Sequence, residues 1–341
     1  MIELQEYISL AEHNTFRVGG PARFLTVART VDEVREAKVF AQTANISFFV
    51  LGGGSNILFA DQGFKGLVIK MAIGGIAMNS GLVVAGAGVV WDELVASTVA
   101  HGLSGLENLS GIPGTVGGAV AGNVGAYGRE VCDVLEWVEV VDDKGVNIER
   151  LTVKECRFGY RSSFFKMPIG RKFTITRAAF RLFRRAKLNI EYPDLQAYFS
   201  MRDIAPVHVT SRLVRTALLE IRASKLPDLR LVGTAGSFFK NPVIDSNAFK
   251  ELKKIFPEMP GFPDPNLASQ VKVPAGWILD KVCGLKGKRW GAVGIHDQQA
   301  LVLINFGGAP AAAIAAAGAE MAAAVKVATG ITLEREVEYL F

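Results

Sequence analysis

Hydrophobic and polar residues follow helical and strand periods in turn along the first third of the chain. Apolar runs predict strands over residues 24–28 and 47–51. Between them, Thr30 and Glu33 have the spacing of a capping box, which predicts the start of a helix. Strand, helix and strand together indicate an α/β unit. The apolar positions of the predicted helix share one face: Val31, Val34, Ala37 and Ala41.

The middle of the chain is rich in strand patterns. Apolar runs predict strands at 67–71 and 82–85, and a helix is predicted over 91–100 with Gly102 as its stop. A hairpin is predicted at 134–141 and 146–151, because two apolar runs flank the turn formers of 142–145. Residues 172–183 predict one more strand.

The last third changes character near Pro206. Helices are predicted over 211–224 with Ser211 as the cap, over 247–255 and over 276–282. Alternation over 331–341 predicts a half-buried strand that projects Glu334 and Glu336 from one face. The uncharged run 298–319 is too polar and too rich in alanine for a spanning helix, so we expect a strand, a turn and a soluble helix there.

Composition limits the class of protein. The chain has 341 residues, half of them apolar and 21% charged, which is typical of a folded protein of two or three domains. The net charge is 38 − 33 = +5. The basic residues are spread along the chain rather than clustered, so nucleic-acid binding is not expected. Three distant cysteines and four scattered histidines predict no metal site and a reducing compartment.

Two glycine-rich segments are the first candidates for ligand binding. Residues 51–56 follow a strand directly, and residues 110–118 continue into 123–128. Glycine allows backbone N–H groups to approach an anion closely, whereas a flexible turn or tight packing between domains would give the same pattern. The usual nucleotide-binding fingerprints are absent, so a dinucleotide would need a fold other than the doubly wound one.

Three further residues have side chains suited to chemistry. Arg161 could pair with a carboxylate or an oxyanion, although most arginine side chains simply extend from the protein surface into solvent. Ser237 could donate a proton, but no histidine adjoins it, and Phe238 and Phe239 could merely anchor a turn. Glu336 lies in an apolar strand where burial could raise its pKa, unless it faces solvent.

The motifs together resemble those of the UDP-N-acetylenolpyruvoylglucosamine reductases. The resemblance covers nearly the whole chain in order, through residues 14–22, both glycine-rich segments, 159–161, 225–228, 236–242, 275–277 and 333–337. It implies an α+β fold with a two-part FAD-binding region of the vanillyl-alcohol-oxidase-like (PCMH) type and a separate α/β substrate-binding domain. The implied boundaries are 1–66 with 331–341 and 67–205 for the two FAD-binding parts, and 206–330 for the substrate domain.

The resemblance also implies a reaction. NADPH reduces non-covalently bound FAD and leaves, and the enolpyruvyl ether of UDP-N-acetylglucosamine then enters. Hydride passes from flavin N5 to the vinyl methylene carbon, Arg161 and Glu336 stabilise the resulting enolate, and Ser237 supplies the proton. The product is UDP-N-acetylmuramate, a precursor of peptidoglycan. A cytoplasmic monomer that binds neither membrane nor nucleic acid is expected.

Binding residues follow from the same resemblance. The FAD-contacting positions are Leu51, Gly52, Gly53, Gly54, Ser55, Asn56, Ile57, Ser110, Gly111, Ile112, Pro113, Gly114, Gly117, Gly118, Asn123, Gly125, Ala126 and Tyr127. The substrate-contacting positions are Tyr127, the lid tyrosine Tyr192 of the family's first subtype, Lys225, Asn241, Lys286 and Gln299. Glu338 departs from the family, which usually has arginine there.

Two alternatives remain open at this point. An FAD-linked oxidase of the same fold would use O2 in place of a nicotinamide. Such enzymes often tether the flavin through histidine or cysteine, and neither glycine-rich segment contains histidine. A non-catalytic nucleotide-sugar binding protein is the other alternative, and it would not need Ser237.

Overall fold

A computed structural model describes residues 2–184, 187–263 and 269–340, which form two compact units. Unit 1 comprises the described residues of Met1–Ile8, Ala22–Gly53 and Phe64–Ala223. Unit 2 comprises those of Ser9–Pro21, Gly54–Gly63 and Ser224–Phe341. Each unit is therefore assembled from segments that are distant in sequence.

Strands and helices are mixed along the chain. The strands are β1 (Gln5–Ser9), β2 (Pro21–Ala28), β3 (Phe48–Leu51), β4 (Ile57–Phe59), β5 (Phe64–Met71), β6 (Ile76–Asn79), β7 (Leu82–Gly86), β8 (Gly125–Ala126), β9 (Arg129–Glu130), β10 (Leu135–Val141), β11 (Ile148–Thr152), β12 (Thr174–Arg181), β13 (Val243–Asp245), β14 (Phe262–Pro263), β15 (Gln270–Lys272), β16 (Arg289–Trp290), β17 (Val293–Ile295), β18 (Leu303–Asn305) and β19 (Glu338–Leu340). The helices are α1 (Val31–Thr43), α2 (Trp91–Ala100), α3 (Val116–Gly122), α4 (Pro193–Ser200), α5 (Ser211–Lys225), α6 (Ser246–Ile255), α7 (Ala275–Trp277) and α8 (Ala311–Thr329).

Unit 1 contains two larger sheets. One has the order β1-β2-β5-β3, with β2 and β3 both parallel to β5. The other has the order β11-β10-β12-β7-β6 and is antiparallel throughout. Trp91 and Phe180 meet edge to face at 6.0 Å within the core of this unit. The predicted hairpin is confirmed, since β10 and β11 pair up to Val141 opposite Ile148.

Helix α1 is formed as its sequence predicts. Thr30 and Glu33 make both hydrogen bonds of the capping box. The buried face includes Val34, Ala37 and Ala41, as predicted. It also includes Lys38, which is fully buried and donates from Nζ to the Lys172 carbonyl at 2.6 Å. The helical period alone did not reveal this buried lysine.

Helices α4 and α5 form a small cluster of their own within unit 1. Their apolar faces meet through Leu195, Phe199, Val214 and Leu218, and Tyr127 packs against the same cluster. Ser211 was expected to cap α5. Instead, Thr210 is the cap, since its hydroxyl accepts from the Leu213 N–H at 3.2 Å. Both are good capping residues, and the prediction was one position late.

Unit 2 surrounds a second core. Its sheets have the orders β13-β15-β14 and β16-β17-β18, and β19 pairs in parallel with β4. Helix α8 begins where the Asp61 carboxylate accepts from the N–H groups of Ala311 and Ala312, at 2.7 and 2.9 Å. A carboxylate at this end satisfies two donors that a helix cannot pair internally.

The C-terminal strand is shorter than predicted. Ile331, Leu333 and Val337 are buried in the expected alternation, but the described strand is only β19. The chain bends at Val337, and before the bend Arg335 forms an isolated antiparallel bridge with Phe239. The helix predicted over 276–282 is α7 followed by a π-helical turn over Ile278–Val282.

By length and composition alone, α8 is long and apolar enough to cross a membrane. About a third of this helix is buried within the protein. Ile314, Gly318, Met321 and Val325 form the buried face and pack into the core of unit 2. This packing places one face of α8 on the core of unit 2.

The ring of Phe238 packs so close to Gly318 that no larger residue fits at this position of α8. A Cβ at Gly318 would lie 2.3 Å from Cε1 of Phe238, a ring that is fully buried. We expect Gly318→Ala to lower the free energy of unfolding by about 1–2 kcal/mol, because overpacking outweighs the gain in helix propensity. Urea unfolding measures this. Ala319→Gly, one residue along on the exposed side, should cost about 1 kcal/mol by propensity alone. A Gly318→Ala protein more stable than wild type would contradict the packing.

Candidate functional site

The predicted site residues are divided between the two units. Unit 1 holds Leu51 to Gly53, the residues predicted between Ser110 and Tyr127, Arg161 and Tyr192. Unit 2 holds Gly54 to Ile57, Lys225, Ser237, Asn241, Lys286, Gln299 and Glu336. We describe the two groups in turn.

The two glycine-rich segments of unit 1 pack directly against each other. A Cβ at Gly53 would lie 2.6 Å from Cα of Gly114, and one at Gly52 would lie 2.5 Å from Oγ1 of Thr115. Side chains at either glycine would force the loops apart, so glycine is needed for this approach. The Gly53 N–H donates to no acceptor in the part of the chain that the structure describes. A free donor in such a loop suits an anionic ligand.

Thr115 contributes a hydroxyl that the sequence did not single out. Thr115 is 8% exposed, and its Oγ1 has no hydrogen-bond partner among the described residues. It precedes α3 but makes no side-chain cap. A buried hydroxyl without a partner is unfavourable by about 1–3 kcal/mol, so its position beside Gly52 favours a bound polar group.

Gly111 is held on both sides by charged side chains. Its N–H donates to Oδ1 of Asp92 at 2.6 Å, and its carbonyl accepts from Nε of Arg222 at 3.1 Å. Arg215 makes a bidentate pair with Asp92, at 2.6 and 2.8 Å. Burial would raise the pKa of Asp92, but the hydrogen bonds from Arg215 and Gly111 lower it overall. Neither Arg215 nor Asp92 belongs to a recognisable motif, so the sequence did not reveal this clamp.

Tyr127 and Tyr192, both predicted to contact substrate, lie next to each other. Their rings meet edge to face with centroids 5.1 Å apart. The side chain of Asn108 donates to the carbonyls of Tyr127 and Asn189, at 2.9 and 2.8 Å. Asn189 donates back to the Gly128 carbonyl at 2.9 Å. Burial raises the pKa of both tyrosines, so both phenols keep their protons at neutral pH.

Asn123 connects the second glycine-rich segment with the loop of Arg161. Asn123 ends α3 in the left-handed conformation, with φ +41°. Its amide donates to Oε2 of Glu130 at 2.8 Å and to the Gly159 carbonyl at 3.0 Å. Arg161 is half-buried and has φ +51°, and its Nη1 would lie 3.1 Å from a Cβ at Gly125. Gly125 therefore leaves room for the guanidinium.

Backbone pairing in unit 2 places the turn that contains Ser237 beside the C-terminal segment that contains Glu336. Phe239 and Arg335 form an antiparallel bridge, and the Glu336 N–H donates to the Phe238 carbonyl at 3.0 Å. Ser237 itself bridges to Val302 on the other side. Phe238 and Phe239 are buried, so they anchor this turn, while Ser237 is exposed. The serine is thus presented to solvent on a fixed backbone.

The first glycine-rich segment also contacts the Glu336 chain within unit 2. Nδ2 of Asn56 donates to the Glu336 carbonyl at 3.1 Å, and the Glu338 N–H donates to the Asn56 carbonyl at 3.1 Å. Glu336 is half-buried. Glu338, which departs from the arginine that the resemblance implies, begins β19, and the nearby Arg335 guanidinium stacks on Tyr339 at 3.8 Å.

The remaining substrate-binding candidates lie at several points of unit 2. Oδ1 of Asn241 accepts from the Ala275 N–H at 2.9 Å, which leaves its amide nitrogen for a ligand. Oε1 of Gln299 would lie 2.9 Å from a Cβ at Gly276, so that glycine gives it space. Lys286 is exposed and pairs with Asp280 at 2.8 Å, and Lys225 is exposed at the end of α5. The described residues contain no cluster of metal-binding side chains.

The clamp on Gly111 predicts a pH-dependent loss of stability. We expect Arg215→Gln to lower the free energy of unfolding by about 1–2 kcal/mol near pH 7, since a partly buried ion pair with two hydrogen bonds is lost. The Asp92 carboxyl has its pKa lowered in the folded state, so this stabilisation is present above the ordinary value of 3.8 and is lost as pH falls below it. Urea unfolding from pH 7 to pH 3 should show the two proteins converging. Arg212→Gln, an exposed change on the same helix, should have little effect at any pH.

Comparison with known proteins gives matches along nearly the whole chain. One family model, an FAD binding domain, matches residues 22–149, and a second, the C-terminal domain of UDP-N-acetylenolpyruvoylglucosamine reductase, matches residues 227–340. The reductase of that name from Pseudomonas aeruginosa is 41% identical over 340 residues, covering 98% of each chain. The one from Burkholderia orbicola is 41% identical over 332 residues, covering 96% of this chain and 94% of its own. A crystal structure of the Thermus caldophilus reductase superposes with a TM-score of 0.70 at 27% identity, over the full length of both chains.

Proposed function

The chain belongs to the family of UDP-N-acetylenolpyruvoylglucosamine reductases, and we propose which of its residues carry out the reaction. It is an FAD-dependent oxidoreductase that uses NADPH to reduce the enolpyruvyl ether of UDP-N-acetylglucosamine to UDP-N-acetylmuramate for peptidoglycan synthesis. The predicted α+β fold with an FAD-binding domain and a second domain is confirmed. The observation that supports the residue roles best is the backbone pairing of the Ser237 turn with the segment that contains Glu336.

The residues of unit 1 fit the cofactor. The Gly53 N–H and the Thr115 hydroxyl lie in adjoining loops and have no partner among the described residues, which suits a pyrophosphate. Gly52, Gly53 and the segment from Ser110 to Gly118 would hold that group through backbone donors. When bound, FAD supplies a carrier that takes a hydride from NADPH and delivers it to the substrate. FAD is held without a covalent bond in this proposal.

Arg161 is proposed to stabilise the negative charge that develops on the substrate. Hydride addition to the vinyl methylene carbon leaves negative charge on the neighbouring carboxylate-bearing carbon and its carboxylate. A guanidinium fixed in advance stabilises such developing charge more than mobile water does. The loop of Arg161 is fixed by Asn123 through the Gly159 carbonyl, and Gly125 leaves space for the guanidinium. Arg161 therefore needs little rearrangement to act.

Ser237 is the proton donor in this proposal. A hydroxyl is a weak acid in water, but it can protonate a strongly basic carbanion within hydrogen-bond distance. The buried Phe238 and Phe239 fix the backbone of the turn, and the exposed hydroxyl remains accessible to substrate. Glu336 lies in the segment that pairs with this turn, and it is proposed to stabilise the enolate together with Arg161.

The nucleotide is bound by the other predicted positions. Tyr192 closes over it beside Tyr127, whereas Lys225 and Lys286 offer positive charge to the diphosphate, and Asn241 and Gln299 offer amides to polar groups. We assign 1–66 with 331–341 and 67–205 to FAD binding and 206–330 to substrate binding. The enzyme is proposed to act as a cytoplasmic monomer outside the membrane.

Replacing Ser237 should separate the two halves of the reaction. In Ser237→Ala, we expect reduction of FAD by NADPH at the wild-type rate, because no proton from Ser237 is used in that step. Turnover of the enolpyruvyl nucleotide should fall by at least about 1000-fold. Anaerobic stopped-flow absorbance measures both steps. Ser47→Ala, an exposed serine whose hydroxyl makes no recorded hydrogen bond in the described structure, is the matched control. Unchanged turnover in Ser237→Ala would exclude the serine as the proton donor.

The visible spectrum tests the reaction as a whole. The visible absorbance of FAD bound to the purified protein should decrease when NADPH is added anaerobically. It should return when the enolpyruvyl nucleotide is added. Return of the absorbance only with O2 would favour a flavin-linked oxidase instead. Denaturation should release the flavin into solution, whereas flavin that stays attached would indicate a covalent bond.

A further inference from the structure

We propose that Asp280 is a positioning residue for substrate binding, because its carboxylate holds the ammonium of Lys286 in place for the diphosphate of the nucleotide. The proposal rests on the proposed function, which assigns Lys286 to that diphosphate. Asp280 was not among the predicted site residues. Both residues belong to unit 2.

One short helical segment contacts three of the predicted substrate-binding residues. It consists of α7 and the π-helical turn that follows α7. At its start, the Ala275 N–H donates to Oδ1 of Asn241 at 2.9 Å. Its next residue, Gly276, lies so close to Gln299 that a Cβ would be 2.9 Å from Oε1. The π-helical turn supplies the third contact, an ion pair with Lys286. Turns of this kind are rare and occur frequently at functional sites.

The ion pair is short and partly shielded from water. Oδ2 of Asp280 accepts from Nζ of Lys286 at 2.8 Å. The side chain of Asp280 is 23% exposed, and that of Lys286 is 37% exposed. Among the described residues, Asp280 is the recorded partner of this ammonium. An ammonium has three N–H donors, so the pair leaves two of them for phosphate oxygens.

The turn around Lys286 is anchored, but its side chain is exposed. Leu285 is buried and holds the turn on the core of unit 2. Gly284 and Gly287 have φ values of +62° and +78°, and a Cβ at either would meet nothing within 4 Å. A mobile lysine side chain loses rotamer freedom when it binds a ligand, which weakens binding. An ion pair with Asp280 that exists before the nucleotide arrives removes part of this loss.

A neighbouring lysine provides an internal control. Nζ of Lys281 lies 3.7 Å from the same Oδ2 of Asp280, and its side chain is 60% exposed. This separation is too long for a hydrogen bond, and an exposed pair of this kind contributes little. Lys281→Met therefore removes a positive charge near Asp280 without removing the proposed contact.

Asp280→Asn removes the charge and keeps the shape of the side chain. We expect the Kd for UDP-N-acetylmuramate, measured by calorimetry with the FAD-loaded protein, to rise by about 5- to 10-fold. The KM for the enolpyruvyl nucleotide should rise similarly. The kcat should change by less than about twofold, because Asp280 is not proposed to touch the reacting atoms. Lys281→Met should bind within about twofold of wild type. A lower Kd in Asp280→Asn would show that the carboxylate only repels the diphosphate, and would overturn the proposal.

A double-mutant cycle tests whether Asp280 acts through Lys286. In a Lys286→Met background, Asp280→Asn should no longer raise the Kd. A rise as large as in the wild-type background would show that Asp280 supports the fold rather than the lysine, which would overturn the proposal. Asp280→Glu keeps a carboxylate and should bind more tightly than Asp280→Asn. Equal Kd values for these two variants would contradict a role for the charge.

Failure of this proposal differs from failure of the proposed function. If Lys286→Met binds UDP-N-acetylmuramate as tightly as wild type, the proposed role of Lys286 is itself wrong. If Lys286→Met weakens binding and Asp280→Asn does not, the assignment of Lys286 holds and Asp280 is excluded as its positioning residue.

Discussion

Close backbone approach between the two glycine-rich segments is the constraint on which the cofactor side of the protein depends. Gly53 lies against Gly114, and Gly52 lies against Thr115, at separations that exclude a Cβ. This contact brings the end of a parallel strand beside the start of a short helix. The donors of both segments are thereby concentrated around one peptide, and Lys70, Asp92 and the arginines of α5 hold the surrounding backbone in place.

The same physical device recurs in unit 2 for a different purpose. Gly318 of α8 allows the ring of Phe238 to enter the core, and the buried ring fixes the turn that presents Ser237. The alanine-rich helix, which looks unrelated to the chemistry in sequence, is therefore part of the support for the proposed proton donor. A substitution on α8 that displaces the Phe238 ring would therefore also displace the turn that contains Ser237.

Backbone hydrogen bonds contribute to the geometry of the proposed catalytic residues. Ser237 is positioned by bridges to Val302 and by the pairing of Phe238 with Glu336, and Arg161 is positioned through the carbonyl of Gly159. The Ser237 side chain remains exposed on this fixed backbone. The backbone N–H of Glu338 likewise donates to the Asn56 carbonyl, which fixes the start of β19.

The sequence by itself determined the elements with strong local signals. The capping box of α1, the bounds of α2, the hairpin of β10 and β11 and the glycine-rich loops all follow from residue spacing and turn chemistry. Tertiary structure alone decided where segments distant in sequence meet. The burial of Lys38, the clamp of Arg215 and Asp92 on Gly111, the burial of the Thr115 hydroxyl and the shortening of the last strand each depend on such meetings. Local patterns carry no information about them, because burial and pairing energies arise only when the chain is folded.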